Sequence, residues 1–124
     1  MEDPVELVSN VFDKYPGSRV VEYLRNGACI QAVLDGRFFA LEKQYGNISI
    51  TEKKLDFPDL TVELNQAACE YLAGSEELED FVTRARECIN NQRPGCRMSY
   101  RINASPPRLV MKGYLEFGYR MGIL

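Results

Sequence analysis

The chain is 124 residues long, 45% hydrophobic and 27% charged, with a net charge of -3. That is enough chain for one domain with a sizeable core, and the acidic balance offers no basic surface for nucleic acid. There is no histidine, which excludes Ser-His-Asp and Cys-His catalysis and any His-ligated metal.

The opening DPVELVSNVFDKY reads as a helix. Asp3 is a suitable N-cap, Pro4 suits the first helical position, and Glu6 completes a capping-box pattern. Val5, Val8, Phe12 and Tyr15 recur at helical spacing and form one apolar face. The acidic start has no basic n-region and no apolar h-region, so no signal peptide is expected. No apolar run approaches the roughly 20 residues that span a bilayer. A cytoplasmic location is therefore expected. After Pro16-Gly17 a second helix is expected over SRVVEYLRNG, capped by Ser18 and stopped at Gly27.

The period then changes from helical to alternating. Strands are expected over Cys29–Leu34 and from Arg37 to about Gln44, joined by Asp35-Gly36, a strong two-residue hairpin signal. Tyr45-Gly46-Asn47 makes another turn before a strand over ISITE. LDFPD is a loop, since Pro58 cannot sit in a central strand. LTVEL alternates Leu60, Val62 and Leu64 with polar neighbours and gives a fourth strand.

Asn65 caps a helix that Gly74 ends. Ser75 is expected to cap a longer one over EELEDFVTRARECINN, with acidic residues first and arginines later, as the helix dipole prefers. Phe81, Val82, Ala85 and Ile89 are expected to face the interior, and Glu79, Arg84, Arg86 and Glu87 to face water. RMSYRINA alternates as a strand, SPP stops it, and RLVMK is expected to be a final short strand. The tail YLEFGYRMGIL reads two ways. As a helix it aligns Tyr114, Phe117, Met121 and Leu124; as a strand, Leu115 and Phe117 alternate with Glu116. A helix from about Tyr114 is preferred. Gly118 weakens such a helix by about 1 kcal/mol relative to alanine, and Gly122 by as much again. A segment this short must lean on a neighbour for stability.

Cys29, Cys69 and Cys88 lie among apolar neighbours, and no two of the four cysteines have CxxC spacing. Reduced core thiols fit this better than a disulfide frame or a metal site.

Element order and local pattern together resemble the sterol carrier protein type 2 family. Asp59 to Leu64 is similar to that family's alternating strand opening on aspartate. Tyr71-Leu72-Ala73-Gly74 is similar to the helix turn after it, and Arg108 to Gly113 to a late strand closed by glycine, before a final apolar helix. The resemblance runs from about residue 5 to the end. Glu76 to Pro107 is longer than the family usually has there, Val110 stands where lysine is common, and the chain does not end in a peroxisomal Ser-Lys-Leu signal. These departures favour a stand-alone prokaryotic-type member.

The resemblance implies an α+β fold, a five-stranded, mostly antiparallel sheet covered on one face by helices. It also implies a hydrophobic tunnel that binds sterols, fatty acyl chains or isoprenoid lipids. The tunnel would draw Phe39 and Leu41 from the sheet, Phe81, Val82, Ala85 and Ile89 from the long helix, Leu109 and Met111 from the late strand, and Tyr114, Phe117 and Met121 from a tail acting as a lid. Each of these would serve equally in a filled core, the commoner use of such residues. The expected function is non-catalytic carriage of a hydrophobic small molecule or lipid. It needs no cofactor, involves at most transient membrane contact, and leaves room for a homodimer. Two other readings are an interaction module docking through the apolar tail and, lowest, an enzyme using carboxylates.

Overall fold

In the computed structural model, which describes residues 3–121, the first helix α1 spans Pro4–Phe12. The Asp3 carboxylate caps it by accepting from the Val5 N–H at 2.9 Å. It stops earlier than the sequence suggests, and a single turn, α2, follows over Gly17–Val21. The expected run to Gly27 is cut short because its apolar stripe is one turn long: Val20, Val21 and Leu24 are buried, and the residues around Leu24 turn back toward the sheet.

Five strands make one sheet: β1 (Cys29–Leu34), β2 (Arg37–Gln44), β3 (Asn47–Glu52), β4 (Leu60–Leu64) and β5 (Met98–Ile102). Their order is β3-β2-β1-β4-β5, with β1 and β4 parallel and the other three pairs antiparallel. The Asp35-Gly36 and Tyr45-Gly46 turns both place two successive residues at positive φ, the conformation that lets a two-residue loop follow the strand twist.

The pleat sorts side chains by face. Ile30, Ala32, Leu34, Phe39, Leu41, Leu60, Val62 and Leu64 point inward and are buried against the helices. Thr61, Glu63, Ser99 and Arg101 lie on the other face. The chain crosses from β3 to β4 over that outer face through residues 53–58. Buried Gln31 ties it down: its amide donates to the Phe39 and Lys53 carbonyls and its Oε1 accepts from the Leu55 N–H. A buried amide with these partners satisfied costs little.

Helix α3 (Gln66–Ala73) is capped by the Asn65 side chain, which accepts from the Ala68 N–H. Helix α4 spans Leu78–Ile89, starting later than expected. Ser75 makes no cap; its N–H closes the end of α3 on Leu72, and its buried hydroxyl has no partner among the described residues. Phe81 and Ala85 are fully buried, whereas Val82 and Ile89 are half-buried on the flank of α4; Glu79 and Arg86 are exposed, and Arg84 and Glu87 half-buried. All four cysteines are free thiols.

The expected final strand is a helix. Residues Pro106–Met111 form α5. Two prolines fix φ near the helical value at the first turn and bring no N–H that needs a partner there. The fifth strand of the sheet is the RMSYRI segment instead, so the late strand implied by Arg108 to Gly113 is corrected. The tail is helical as preferred: α6 spans Tyr114–Met121.

Candidate ligand site

The sheet end nearest α5 and α6 is organised by one carboxylate. Asp59 precedes β4 and is 1% exposed. Its Oδ2 accepts from the Cys29 N–H at 3.1 Å and from the Tyr114 hydroxyl at 3.0 Å; its Oδ1 pairs with Arg108 Nε. The Cys29 carbonyl is also 3.2 Å from the Tyr114 hydroxyl, but a single proton favours the charged acceptor. The Asp59 carbonyl accepts from the N–H groups of Asn103 and Ala104, which ends β5 and turns the chain into α5. Burial pushes the Asp59 carboxyl up, but the Arg108, Cys29 and Tyr114 hydrogen bonds outweigh it and hold the group below its ordinary value. Burial, reinforced by the neighbouring Asp59 charge, drives the Tyr114 hydroxyl strongly upward, so it stays a donor.

Helix α6 is held at three further points. Gly113, at φ 85°, lies so close to the Tyr23 backbone that a Cβ would sit 2.2 Å from its carbonyl oxygen. The Arg120 guanidinium donates to the Tyr23 hydroxyl at 3.1 Å and lies over its ring. Between these anchors Phe117, 1% exposed, meets Tyr114 edge-on with ring centroids 6.0 Å apart.

Beneath α5 and α6 runs an apolar crevice of about 60 Å³, walled by Leu60 and Ile102 of the sheet, Leu109 of α5, and Tyr114, Leu115, Phe117 and Gly118 of α6. Of its walls, Ile102 and Leu115 are exposed, and so are Val110 and Met111 of α5 and Tyr119 of α6. On the outer face of the same sheet end lies a wider depression of about 510 Å³, where residues 54–58 meet Thr61, Arg101, Asn103 and Arg108.

No protein-family model matches the chain, and no curated protein does. Among solved structures, one described as UbiJ-SCP2 ubiquinone synthesis protein superposes with a TM-score of 0.50 over 94% of this chain and 91% of that one, at 10% sequence identity. The fold is sterol-carrier-like. At that identity the likeness is one of fold.

Within this sterol-carrier-like frame the expected tunnel residues divide. Leu109, Tyr114 and Phe117 wall the crevice. Phe39, Leu41, Phe81 and Ala85 are packed in the core behind it, each with no exposure. Ile89 borders a polar hollow with Asn65 and Arg97. Val82 stays half-buried on α4, and Met111 is 68% exposed on α5. The Met121 side chain, and the Leu124 that would extend its stripe, lie outside the described residues. Sequence reasoning missed Leu60, Ile102, Leu115 and Gly118 in the crevice wall, and Asp59 and Arg108 at its end. RMSYRI and Ser-Pro-Pro read as a strand and its stop; the further signal is that paired prolines also open a helix, which carries Arg108 and Leu109 to the sheet end.

Proposed function

We propose that this protein binds a hydrophobic small molecule or lipid without transforming it, and carries it in the space between the sheet end and α5–α6. The observation that carries the reading is the apolar crevice under a short helix that is pinned by polar contacts at both ends. The resemblance of the fold to sterol carriers points the same way. So does the solved neighbour, whose description places it in the synthesis of ubiquinone, a hydrophobic molecule.

Size decides how a ligand enters. Ligand sites begin at about 300 Å³, so a crevice of about 60 Å³ admits an acyl or isoprenoid chain only when α5–α6 swings outward. The helix suits that motion. It is short and carries Gly118, and opening it means releasing Tyr114 from Asp59 and Arg120 from Tyr23. The exposed Val110 and Met111 of α5 and Leu115 and Tyr119 of α6 support transient contact between a cytoplasmic carrier and the membrane that gives up or accepts the cargo. The same exposed residues favour a second reading, a docking or dimerisation module.

Native mass spectrometry of protein purified from its host, paired with titration of a fluorescent fatty-acid analogue, tests the proposal. The expected result is a co-purifying lipid-sized mass and saturable binding of one analogue per chain. A clean apo dimer with no saturable binding overturns it in favour of the module.

A further inference from the structure

Strand β5 is an edge: the sheet ends on it, and only β4 pairs with it. The hydrogen bonds at its two ends show which way its backbone points. The Asn65 N–H donates to the Arg97 carbonyl, and the Asn103 N–H donates to the Asp59 carbonyl. In an antiparallel ladder bonded pairs recur every second residue. Arg97, Ser99, Arg101 and Asn103 therefore turn their N–H and C=O groups toward β4, while Met98, Tyr100 and Ile102 turn theirs outward. Among the described residues, no hydrogen bond reaches those outward groups. Tyr100 and Ile102 lie on the helix-bearing side of the sheet, yet the helices leave them 38% and 50% exposed. No proline interrupts the strand. An edge of this kind is a template for another strand.

A second copy of the same strand fits it. A two-fold axis through Tyr100 sets two antiparallel copies with Met98 opposite Ile102, Tyr100 opposite Tyr100 and Ser99 opposite Arg101. The outward groups then meet in bonded pairs, each exchanging both N–H···O bonds. Apolar and aromatic side chains meet on the helix-bearing side, the kind of cross-strand pair that stabilises a sheet. Slipping one copy by two residues sets Arg101 against Arg101 in one direction and Arg97 against Arg101 in the other. Like charges directly opposite are destabilising, so charge selects the two-fold register. The same register adds an attraction. Glu63 of β4 is the neighbour of Ser99 on the outer face, and Arg101 of the second copy lies on the far side of Ser99. Two strand spacings, about 10 Å, separate their backbones, a gap that the two long side chains close over the small serine. Among the described residues, neither Glu63 nor Arg101 has an ion-pair partner in its own chain. The opposite edge of the sheet lacks this fit. The equivalent two-fold on β3 sets Ile48 against Glu52, which is already paired with Arg37.

We infer that two copies of this chain associate as a symmetric dimer through their β5 edges, so that the two sheets run on as one. The partner is a second copy because the charges and the apolar pairs match only when the strand meets itself. The dimer does not rest on the carrier reading, and it uses a different surface from the exposed residues of α5 and α6. It does touch the crevice: Ile102 is one of the crevice walls, and in the dimer it stands opposite Met98 of the second copy.

Sedimentation velocity of the full chain from about 5 to 500 µM tests the association, since a single short strand makes a small interface and small interfaces are weak. A reversible monomer–dimer equilibrium is expected within that range. Tyr100→Pro removes an outward N–H and no bond to β4, and proline is tolerated on an edge strand. It should keep the melting transition and weaken the dimer at least about tenfold. The register is read with two further variants, Ser99→Cys and Arg101→Cys, both on exposed side chains. Under oxidised glutathione, an equal mixture of the two should give a disulfide between positions 99 and 101 of different copies, identified by the mass of the linked peptides, and neither variant alone should link to itself at the new cysteine. A monomer at every concentration overturns the proposal. So does a dimer that Tyr100→Pro leaves intact, which moves the interface elsewhere. Self-linking by either single variant at its new cysteine overturns the two-fold register.

Discussion

Tyr114, the first residue of α6, donates its hydroxyl to the buried carboxylate of Asp59, 55 residues earlier in the chain, at 3.0 Å. That contact joins the last described helix to the sheet beside the crevice. Removing it in Tyr114→Phe is expected to destabilise the fold by about 1.5–3 kcal/mol, the usual worth of a hydrogen bond to a charged group. The Cys29 N–H and Arg108 remain on Asp59, so the domain stays folded. Hydrogen exchange across residues 114–121 should accelerate more than across β1 and β4. Uniform acceleration over the whole chain would mean the bond supports global stability and does not latch α6.

The same carboxylate sets an acid response. Asp59 is held below its ordinary value in the folded chain, burial opposing the shift and Arg108, Cys29 and Tyr114 winning. The unfolded chain therefore binds the proton at higher pH than the folded one. The stabilisation is complete above the unfolded pKa of about 3.9 and disappears as pH falls through the lower folded value. Denaturant midpoints taken from pH 7 to pH 2 should fall in that acid window. Asp59→Asn should start lower at pH 7 and lose part of the acid slope. Because Arg108 is about half exposed, added salt should weaken its share of the effect. An unchanged acid slope in Asp59→Asn would assign the response to other carboxylates.

Gly113 fixes where α6 begins. Alanine there meets two obstacles: a left-handed conformation that costs a side-chain-bearing residue about 1–2 kcal/mol, and a Cβ 2.2 Å from the Tyr23 carbonyl oxygen. Gly36 provides the control. It has the same φ of 85° but nothing near its missing Cβ, so Gly36→Ala meets only the first. The melting temperature of Gly113→Ala should fall clearly further than that of Gly36→Ala. Equal losses would show that Tyr23 yields and that α6 is not locked to it.

The fold was largely legible because its signals were local. The hairpins announced themselves in Asp35-Gly36 and Tyr45-Gly46, where positive φ is needed, and α3 in its Asn65 cap. The errors came where context outweighs pattern. RLVMK looks like a strand by composition, yet it follows Ser-Pro-Pro and lies outside the sheet, so only Leu109 is drawn inward while Val110 and Met111 face out. The site suffered more than the fold for the same reason. A crevice depends on which apolar residues lack a covering neighbour, and periodicity cannot separate Phe81, wholly buried in the core, from Leu115, left half open on α6. Nor can it show that Asp59 and Arg108, 49 residues apart, meet.

Leu115 separates ligand binding from stability. It walls the crevice yet is 55% exposed, whereas its neighbour Phe117 walls the same crevice at 1% exposure. Phe117→Ala should cost about 3–5 kcal/mol, because it removes a buried ring. Leu115→Asp loses little buried area and should shift the denaturant midpoint only slightly, with a change of about 0.5 kcal/mol or less, as for most surface substitutions. Its carboxylate nevertheless stands at the crevice mouth, where an apolar tail would have to strip its water, and an unpaired charge resists that strongly. Affinity for a fluorescent fatty-acid analogue should therefore fall at least about tenfold in Leu115→Asp, a loss of roughly 1.4 kcal/mol in binding with folding nearly untouched. The charge also opposes an anionic probe anywhere nearby, so Leu115→Asn serves as the neutral companion and should lose affinity in the same direction. If both variants bind the analogue as the unaltered protein does, the tail does not lie under α6, and the crevice is only a seam in the packing.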